Sequence, residues 1–442
     1  MIRICMIGTG YVGLVSGSCL ADFGNTVRCV DIDADRIDTL KKGGMPIYEP
    51  GLQDVVARNV ESGRLIFTTN LKESVENSDV IFVAVGTPSL PDGSTDLSYV
   101  TEASISIAQH LNGYKVIVQK STVPVGTTRS LEKIVREHAP KDAHFDMVSN
   151  PEFLREGSAV ADFLRPNRVI IGVESDRARE TMREVYRPLY LIETPNVMTT
   201  LETAELVKYA SNAYLATKIS FINEMAAICE EVGADIDDVA KGMGLDQRIG
   251  QKFLHAGIGF GGSCLPKDVS SRVHLAKTKG YEPRIIEAVL EINRSLAPRA
   301  VDKVRNALGT LSGKTIGLLG LAFKPNTDDL REAPSIRIIT QLIKEGAAVR
   351  VFDPVAMSAF ESTIGLTVSH CKNAYDAAEN CDGLLLVTEW NEFREMDLTR
   401  LHKVMREPVF VDCRNVYKPE RMKEVGFRYD SFGRGSEQGG SK

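Results

Sequence analysis

Apolar and polar positions along this chain follow two different periods. Ile2–Ile7 is a short apolar run of strand length, a helical pattern follows to about Phe23, and Thr26–Val30 is a second strand-like run ended by Asp31. Further β-branched runs fall at Val80–Val85, Val116–Gln119, Met147–Ser149 and Val169–Gly172, with helical stretches separating several of them. This alternation predicts a doubly wound parallel sheet of the α/β class. From about Thr200 to Val232 one long helical pattern takes over. Leu201, Leu206, Tyr209, Ala213, Leu215, Phe221 and Ala226 are compatible with buried faces, and shorter helices are expected to about Ser295. Lys314–Leu321 then opens a second α/β unit. A loop carries Lys324, Asp328, Asp329 and Arg331, a helix spans roughly Ser335–Lys344, and Ala348–Phe352 is a strand ended by Asp353. Gly383–Val387 and Val409–Val411 read as later strands.

The first strand and helix are joined by Gly8-Thr-Gly-Tyr-Val-Gly13. Gly8, Gly10 and Gly13 permit a tight turn, close approach of a pyrophosphate and close packing of helix on strand. The helix that Tyr11 and Val12 begin offers amide donors and partial positive charge to phosphate. Asp31 stands where a carboxylate binds ribose hydroxyls and repels the extra phosphate of NADP, so NAD is the expected cofactor; Arg28 and Arg36 are nearby cations that work against that preference. Thr87, in Gly86–Pro88, and Thr122, in Ser121–Pro124, follow two of the strands. Ligands in such sheets bind beyond the strands' carboxyl ends, although ordinary turn chemistry explains these loops equally well. The second unit echoes the first without the glycine fingerprint, which suits a second nucleotide held in another way. The expected organisation is a dinucleotide-binding Rossmann domain over residues 1–199, a central helical and dimerisation domain over 200–297, a Rossmann-like domain over 298–432, and a flexible Gly/Ser-rich tail over 433–442.

Gly259-Phe-Gly-Gly-Ser-Cys-Leu-Pro-Lys-Asp268 presents one cysteine in a glycine-rich loop, just before Lys267 and Asp268. A thiol near cationic groups ionises more readily, and the thiolate is the nucleophile. The other seven cysteines lie in apolar strand or helix patterns, the setting of small buried hydrophobes. A redox cofactor together with a presented cysteine points to oxidation through a covalent thioester. Glu152 and Glu156 stand four apart in Asn150-Pro-Glu-Phe-Leu-Arg-Glu-Gly157; a solvated loop or a helix cap is the plainer alternative. Glu205, Lys208 and Asn212 share one helical face. A lysine and an amide one turn apart can donate to one developing oxyanion, whereas a surface face is the bland alternative.

Composition excludes several classes. A net charge of −6 argues against a general nucleic-acid surface. No apolar run approaches the length of a membrane span. The apolar start passes directly into Gly8 without a small-residue cleavage site, as a first strand would. No C-x-x-C pair or ligand-like histidine spacing is present, so no structural metal and a reduced, cytoplasmic setting are expected.

Taken together, the Gly8–Gly13 turn, Lys120-Ser-Thr-Val-Pro124, Asn150–Glu156, Lys208 with Asn212, Gly259–Asp268 and Gly320–Arg331 resemble the UDP-glucose/GDP-mannose dehydrogenase family. The resemblance covers nearly the whole chain. It implies two Rossmann-like domains joined by a long helix at the core of a homodimer, with NAD on the first domain and a sugar nucleotide on the second. It further implies NAD-dependent, two-step oxidation at sugar C6. Asp246–Ile249 and Phe253–Gly257 look more like the UDP-glucose branch than the GDP-mannose branch. By the same resemblance, Cys264 would be the nucleophile, Lys208 and Asn212 would stabilise oxygen charge, and Asp268 would position water or move a proton. Glu152 would assist thioester hydrolysis, Glu156 would lie near the nicotinamide, and Thr122 would support the cofactor or a water. Asp31, Arg36, Thr87, Lys267 and Arg331 would contact the cofactor. Glu152, Phe153, Leu154, Arg155 and Glu156 would hold the sugar nucleotide. So would Phe253, Leu254, His255, Ala256 and Gly257, together with Gly261 and Lys324. Arg248 would reach a neighbouring subunit's site.

Overall fold

The computed structural model describes residues 1–434 and forms two compact units that divide between Ser211 and Asn212. The first is built on an eight-stranded sheet: β1 (Arg3–Ile7), β2 (Thr26–Val30), β3 (Leu65–Thr68), β4 (Val80–Val83), β5 (Tyr114–Gln119), β6 (His144–Ser149), β7 (Val169–Gly172) and β8 (Asn196–Thr199). Their order is β3-β2-β1-β4-β5-β6-β7-β8, which reverses direction at β1, as in a doubly wound sheet. The expectation of a parallel sheet needs one correction: β6 and β7 meet antiparallel at Ser149 and Gly172. The edge strands β3 and β8 were not anticipated. Ile66 of β3 is exposed and no residue of β8 is fully buried, unlike the wholly buried β4. Ile7 pairs with both Val30 and Val83. This register lines up the carboxyl ends of β1, β2 and β4, and with them the Gly8 turn, Asp31 and the loop after β4.

The second unit contains a six-stranded, wholly parallel sheet. Its strands are β9 (Thr315–Leu319), β10 (Ala348–Phe352), β11 (Ser369–His370), β12 (Gly383–Leu386), β13 (Val409–Asp412) and β14 (Arg428–Ser431), in the order β11-β10-β9-β12-β13-β14. The short edge strands β11 and β14 again escaped the pattern. The helix Arg284–Leu308 also differs from expectation, because it does not stop near Ser295. Val289, Leu296, Ala300 and Val304 keep one apolar face buried past that point and carry the helix on.

The long helix is Leu201–Val232, and the division between units falls inside it. Leu201, Tyr209 and Ala226 are buried, but Leu206 and Phe221, taken as compatible with a buried face, are exposed. Apolar residues occur nearly all round this helix, so periodicity alone does not say which face is covered. Gly433, taken as the first residue of the expected tail, is held in place. Gly433 donates from its amide to Glu230 Oε1 at 2.8 Å, and its carbonyl accepts from Ile236 N. The remainder of that tail, 435–442, lies outside the described residues.

Candidate active site

In the first unit the glycine turn leads into the helix Tyr11–Asp22. A Cβ on Gly13 would sit 1.9 Å from the Gly8 carbonyl oxygen, so helix and turn pack at glycine distance. Gly10, the residue before the helix, has nothing within 4 Å of where a Cβ would stand. Open space in front of a helix N-terminus fits a pyrophosphate. Asp31 Oδ2 accepts from the Thr9 amide and hydroxyl, both at 2.7 Å, and Oδ1 accepts from Asp33 N. Burial pushes the Asp31 carboxyl up, but these donors and the Arg36 charge outweigh it and hold it low. Arg36 is itself committed to Asp31 and Asp33, at 3.4 and 3.6 Å, which leaves a carboxylate-rich surface disfavouring a 2′-phosphate. The Thr87 hydroxyl donates to the Thr122 carbonyl at 3.0 Å, joining the two loops that follow β4 and β5.

Glu152 follows β6 and is buried. Its Oε1 takes the Lys208 ammonium at 2.9 Å, and its Oε2 takes the Leu154 amide at 2.5 Å. Burial favours the neutral acid, yet Lys208, the Leu154 amide and the more distant Lys120 charge together hold the carboxyl below its ordinary range. The Phe153 ring carries the Lys208 ammonium at 5.3 Å from its centre and the Arg168 guanidinium at 3.6 Å. Arg155 is exposed and pairs with Asp162, and Glu156 is half-buried. The surface-face alternative for Glu205, Lys208 and Asn212 is overturned, since all three are buried. Glu205 has a separate task. It accepts from the amides of Gly126 and Thr128 and from the Thr128 hydroxyl, capping the helix Thr127–His138.

In the second unit, seven cysteines of the chain's eight having been found buried, Cys264 alone is partly exposed. It is the residue before the helix Leu265–Thr278. The first amides of a helix favour negative charge, a setting that stabilises a thiolate. One turn on, buried Asp268 accepts from Asn212 Nδ2 at 2.6 Å, and Lys267 Nζ lies 3.8 Å from its other oxygen. The glycine loop is pressed against the second sheet's loops. At Gly262 φ is +82°, and a Cβ would meet the Phe323 ring at 2.7 Å; its amide donates to the Arg331 carbonyl at 2.9 Å. A Cβ on Gly261 would strike the Glu332 carbonyl oxygen. Arg414, which sequence reasoning missed, donates to the carbonyls of Gly259, Phe323 and Val387 and so ties this loop to β12.

Leu254, Ala256 and Gly257 are buried, and Gly257 N donates to Asn223 Oδ1 at 2.8 Å, while His255 is exposed. Phe253 adopts φ +66°, the left-handed region rarely used by bulky residues. Arg248 turns to solvent beside Asp246. Lys324 lies over the Phe323 ring, and Arg331 pairs with Asp329 at 2.7 Å. Asp353, at the position in this unit that Asp31 holds in the first, is fully engaged by the amides of Leu321, Ala322, Val355 and Ala356 and by Trp390. Among the described residues no group of His, Cys, Asp and Glu could hold a metal ion, and no helix is long and apolar enough to cross a membrane.

A doubly wound sheet with an open glycine turn and an acid ending β2 defines a dinucleotide-binding protein of the Rossmann class. Family models sharpen this. Residues 2–190 match the NAD binding domain of the UDP-glucose/GDP-mannose dehydrogenase family, residues 202–295 its central domain, and residues 317–419 its UDP binding domain. The chain is 52% identical to a UDP-glucose 6-dehydrogenase of Rhizobium meliloti, over 98% of this chain and 100% of that one. It is 49% identical to the UDP-glucose 6-dehydrogenase TuaD of Bacillus subtilis, over 99% and 95%. A UDP-glucose dehydrogenase structure from Pyrobaculum islandicum superposes with a TM-score of 0.92 at 38% identity, covering 99% of this chain and 98% of that one. The chain belongs to the UDP-glucose/GDP-mannose dehydrogenase family, and its cofactor is NAD.

Proposed function

We propose that this enzyme oxidises UDP-glucose at C6 to UDP-glucuronate with two NAD⁺ and one water. The observation that carries the reading is Cys264. It is the partly exposed cysteine, placed at a helix N-terminus one turn before an Asp268 that holds the Asn212 amide. The names of the relatives support the sugar nucleotide. When bound, NAD would supply the hydride acceptor for each of the two oxidations at C6. The Gly8–Gly13 turn and Asp31 hold the cofactor. In the first oxidation the alcohol loses hydride and proton and becomes an aldehyde. The Cys264 thiolate then adds to that carbonyl carbon, forming a C–S bond, and the oxygen becomes a thiohemiacetal hydroxyl. Loss of the second hydride and that proton leaves a thioester. Water adds to the thioester, the C–S bond breaks, and acid and thiol are released. Lys208 and Asn212, one turn apart on the same helix, supply donors to the developing oxyanions, where one donor is worth about 3 kcal/mol. Glu152, hydrogen-bonded to Lys208, serves in this reading as the base that takes a proton from the attacking water.

Cys264→Ala tests this. The variant is expected to bind NAD⁺ and to make no UDP-glucuronate, whereas the parent releases two NADH per sugar. Near-normal acid formation by the variant rules the nucleophile out. A panel of UDP-glucose and GDP-mannose, read by NADH release and product mass, checks the substrate. We also assign a homodimer, supported by Tyr214, Phe221 and Ile228, which expose an apolar stripe at seven-residue spacing on the long helix. Sedimentation of Phe221→Glu is expected to shift toward the monomer; an unchanged dimer rejects that surface. Arg248 reaching a partner's site belongs to the same proposal.

A further inference from the structure

One buried carboxylate joins the dinucleotide turn to the acidic loop and is used by none of the chemistry above. Glu49 is 7% exposed. Its Oε2 accepts from the Tyr11 hydroxyl and from Gly157 N, the latter at 2.7 Å, and its Oε1 accepts from Ala159 N at 2.7 Å. Gly157 N also lies 3.2 Å from the Tyr11 oxygen. A plain capping role at the start of the helix Ala159–Leu164 accounts for the two amides. It does not account for Tyr11, which opens the helix on the pyrophosphate turn. Tyr11 is a side chain on the cofactor element, and Gly157 is the residue after Glu156. The carboxylate therefore fixes one end of the Glu152–Glu156 loop to the element that holds NAD. Burial and the Glu49 bond both keep the phenol protonated, so Tyr11 stays a donor across the working pH range.

We propose that Tyr11 and Glu49 are positioning residues that hold the acidic loop in register with the cofactor turn, so that NAD⁺ binding sets Glu152 and Glu156 for the sugar nucleotide. This rests on the loop being the substrate side of the site. Tyr11→Phe tests it, because it cuts the link to the turn and leaves both caps on Glu49. Hydrogen exchange of the peptide spanning 152–159 is followed with and without NAD⁺, no sugar nucleotide present. The parent is expected to gain protection with NAD⁺, and Tyr11→Phe to lose that gain while its melting temperature and calorimetric NAD⁺ affinity change little. Its kcat with UDP-glucose is expected to fall about 10- to 100-fold, as small misplacements of catalytic groups do. Glu49→Gln is expected to lose the same protection. Parent-like, NAD⁺-dependent protection in Tyr11→Phe overturns the link and leaves the proposed reaction standing. Lost protection with unchanged UDP-glucose kinetics overturns the assignment of the loop to substrate.

Discussion

Lys208 Nζ and Glu152 Oε1 lie 2.9 Å apart, with 4% and 5% of their side chains exposed. Removing one partner from such a pair strands a buried charge, at about 3–5 kcal/mol. Lys208→Met is therefore expected to unfold at markedly lower denaturant. Lys208→Met combined with Glu152→Gln is expected to recover part of that loss, since neither member of the pair is then left charged without the other. Neither variant is expected to turn over UDP-glucose. Chemical denaturation of the two singles and the double measures the coupling, and strictly additive losses would show that the pair is not energetically joined.

The same cluster gives stability two pH dependences of opposite origin. Glu152 is held below the ordinary carboxylate range, so its contribution is complete above the unfolded value and is lost as pH falls through the folded one. Lys120 is buried against Asn150, Tyr186 and the Phe163 ring, with Glu152 and Lys208 as its charged neighbours. Burial lowers its pKa from 10.5 to about 8. The unfolded chain then binds a proton that the folded one releases, so stability rises as pH climbs from about 8 toward the ordinary lysine value. Lys120→Met is expected to flatten that alkaline rise. Denaturation midpoints across that interval check it, and an unchanged slope would assign the rise to another group.

Two glycines of one turn are expected to fail differently. A Cβ on Gly13 collides with the Gly8 carbonyl, so Gly13→Ala should shift the helix and reduce both stability and NAD⁺ binding. A Cβ on Gly10 meets no protein atom and would occupy the space a pyrophosphate needs. Gly10→Ala should melt at the parent's temperature and bind NAD⁺ weakly. Calorimetry with NAD⁺ and a thermal melt separate the two, and a parent-like NAD⁺ affinity for Gly10→Ala would place the pyrophosphate elsewhere.

These contrasts show what a linear pattern conveys. The buried central strands were visible because β-branched runs flanked by turns have few other readings, and Thr26–Val30, Val169–Gly172 and Ala348–Phe352 fall where expected. The short edge strands β3, β8, β11 and β14 were not, because half-exposed runs of two to four residues lack that signature. The partial exposure of Cys264 was legible from its glycines. The roles of Glu205, Glu49 and Arg414 were not, because each acts by hydrogen bonds to backbone distant in sequence, and a backbone amide or carbonyl leaves no mark on residue identity. Glu205 illustrates the point: its helical spacing placed it beside Lys208, while its oxygens serve the helix at Thr127.

Asp31 and Asp353 end equivalent strands of the two sheets and should respond differently to the same change. Asp353 Oδ2 accepts from Leu321 N, Ala322 N and Trp390 Nε1, at 2.8, 3.1 and 3.1 Å. Its Oδ1 accepts from Val355 N and Ala356 N, at 2.9 and 2.8 Å. With five donors and almost no exposure, it has no capacity left for a ribose. Asp353→Asn places an amide among donors and should cost about 1–3 kcal/mol of stability or more. Its Michaelis constant for NAD⁺ should stay at the parent value. Asp31 keeps part of its surface open at the cofactor turn, so Asp31→Asn should weaken NAD⁺ and narrow the preference over NADP⁺. Denaturation and NAD⁺/NADP⁺ kinetics on both variants check this, and a cofactor defect in Asp353→Asn at unchanged stability would show that the second sheet takes part in dinucleotide binding.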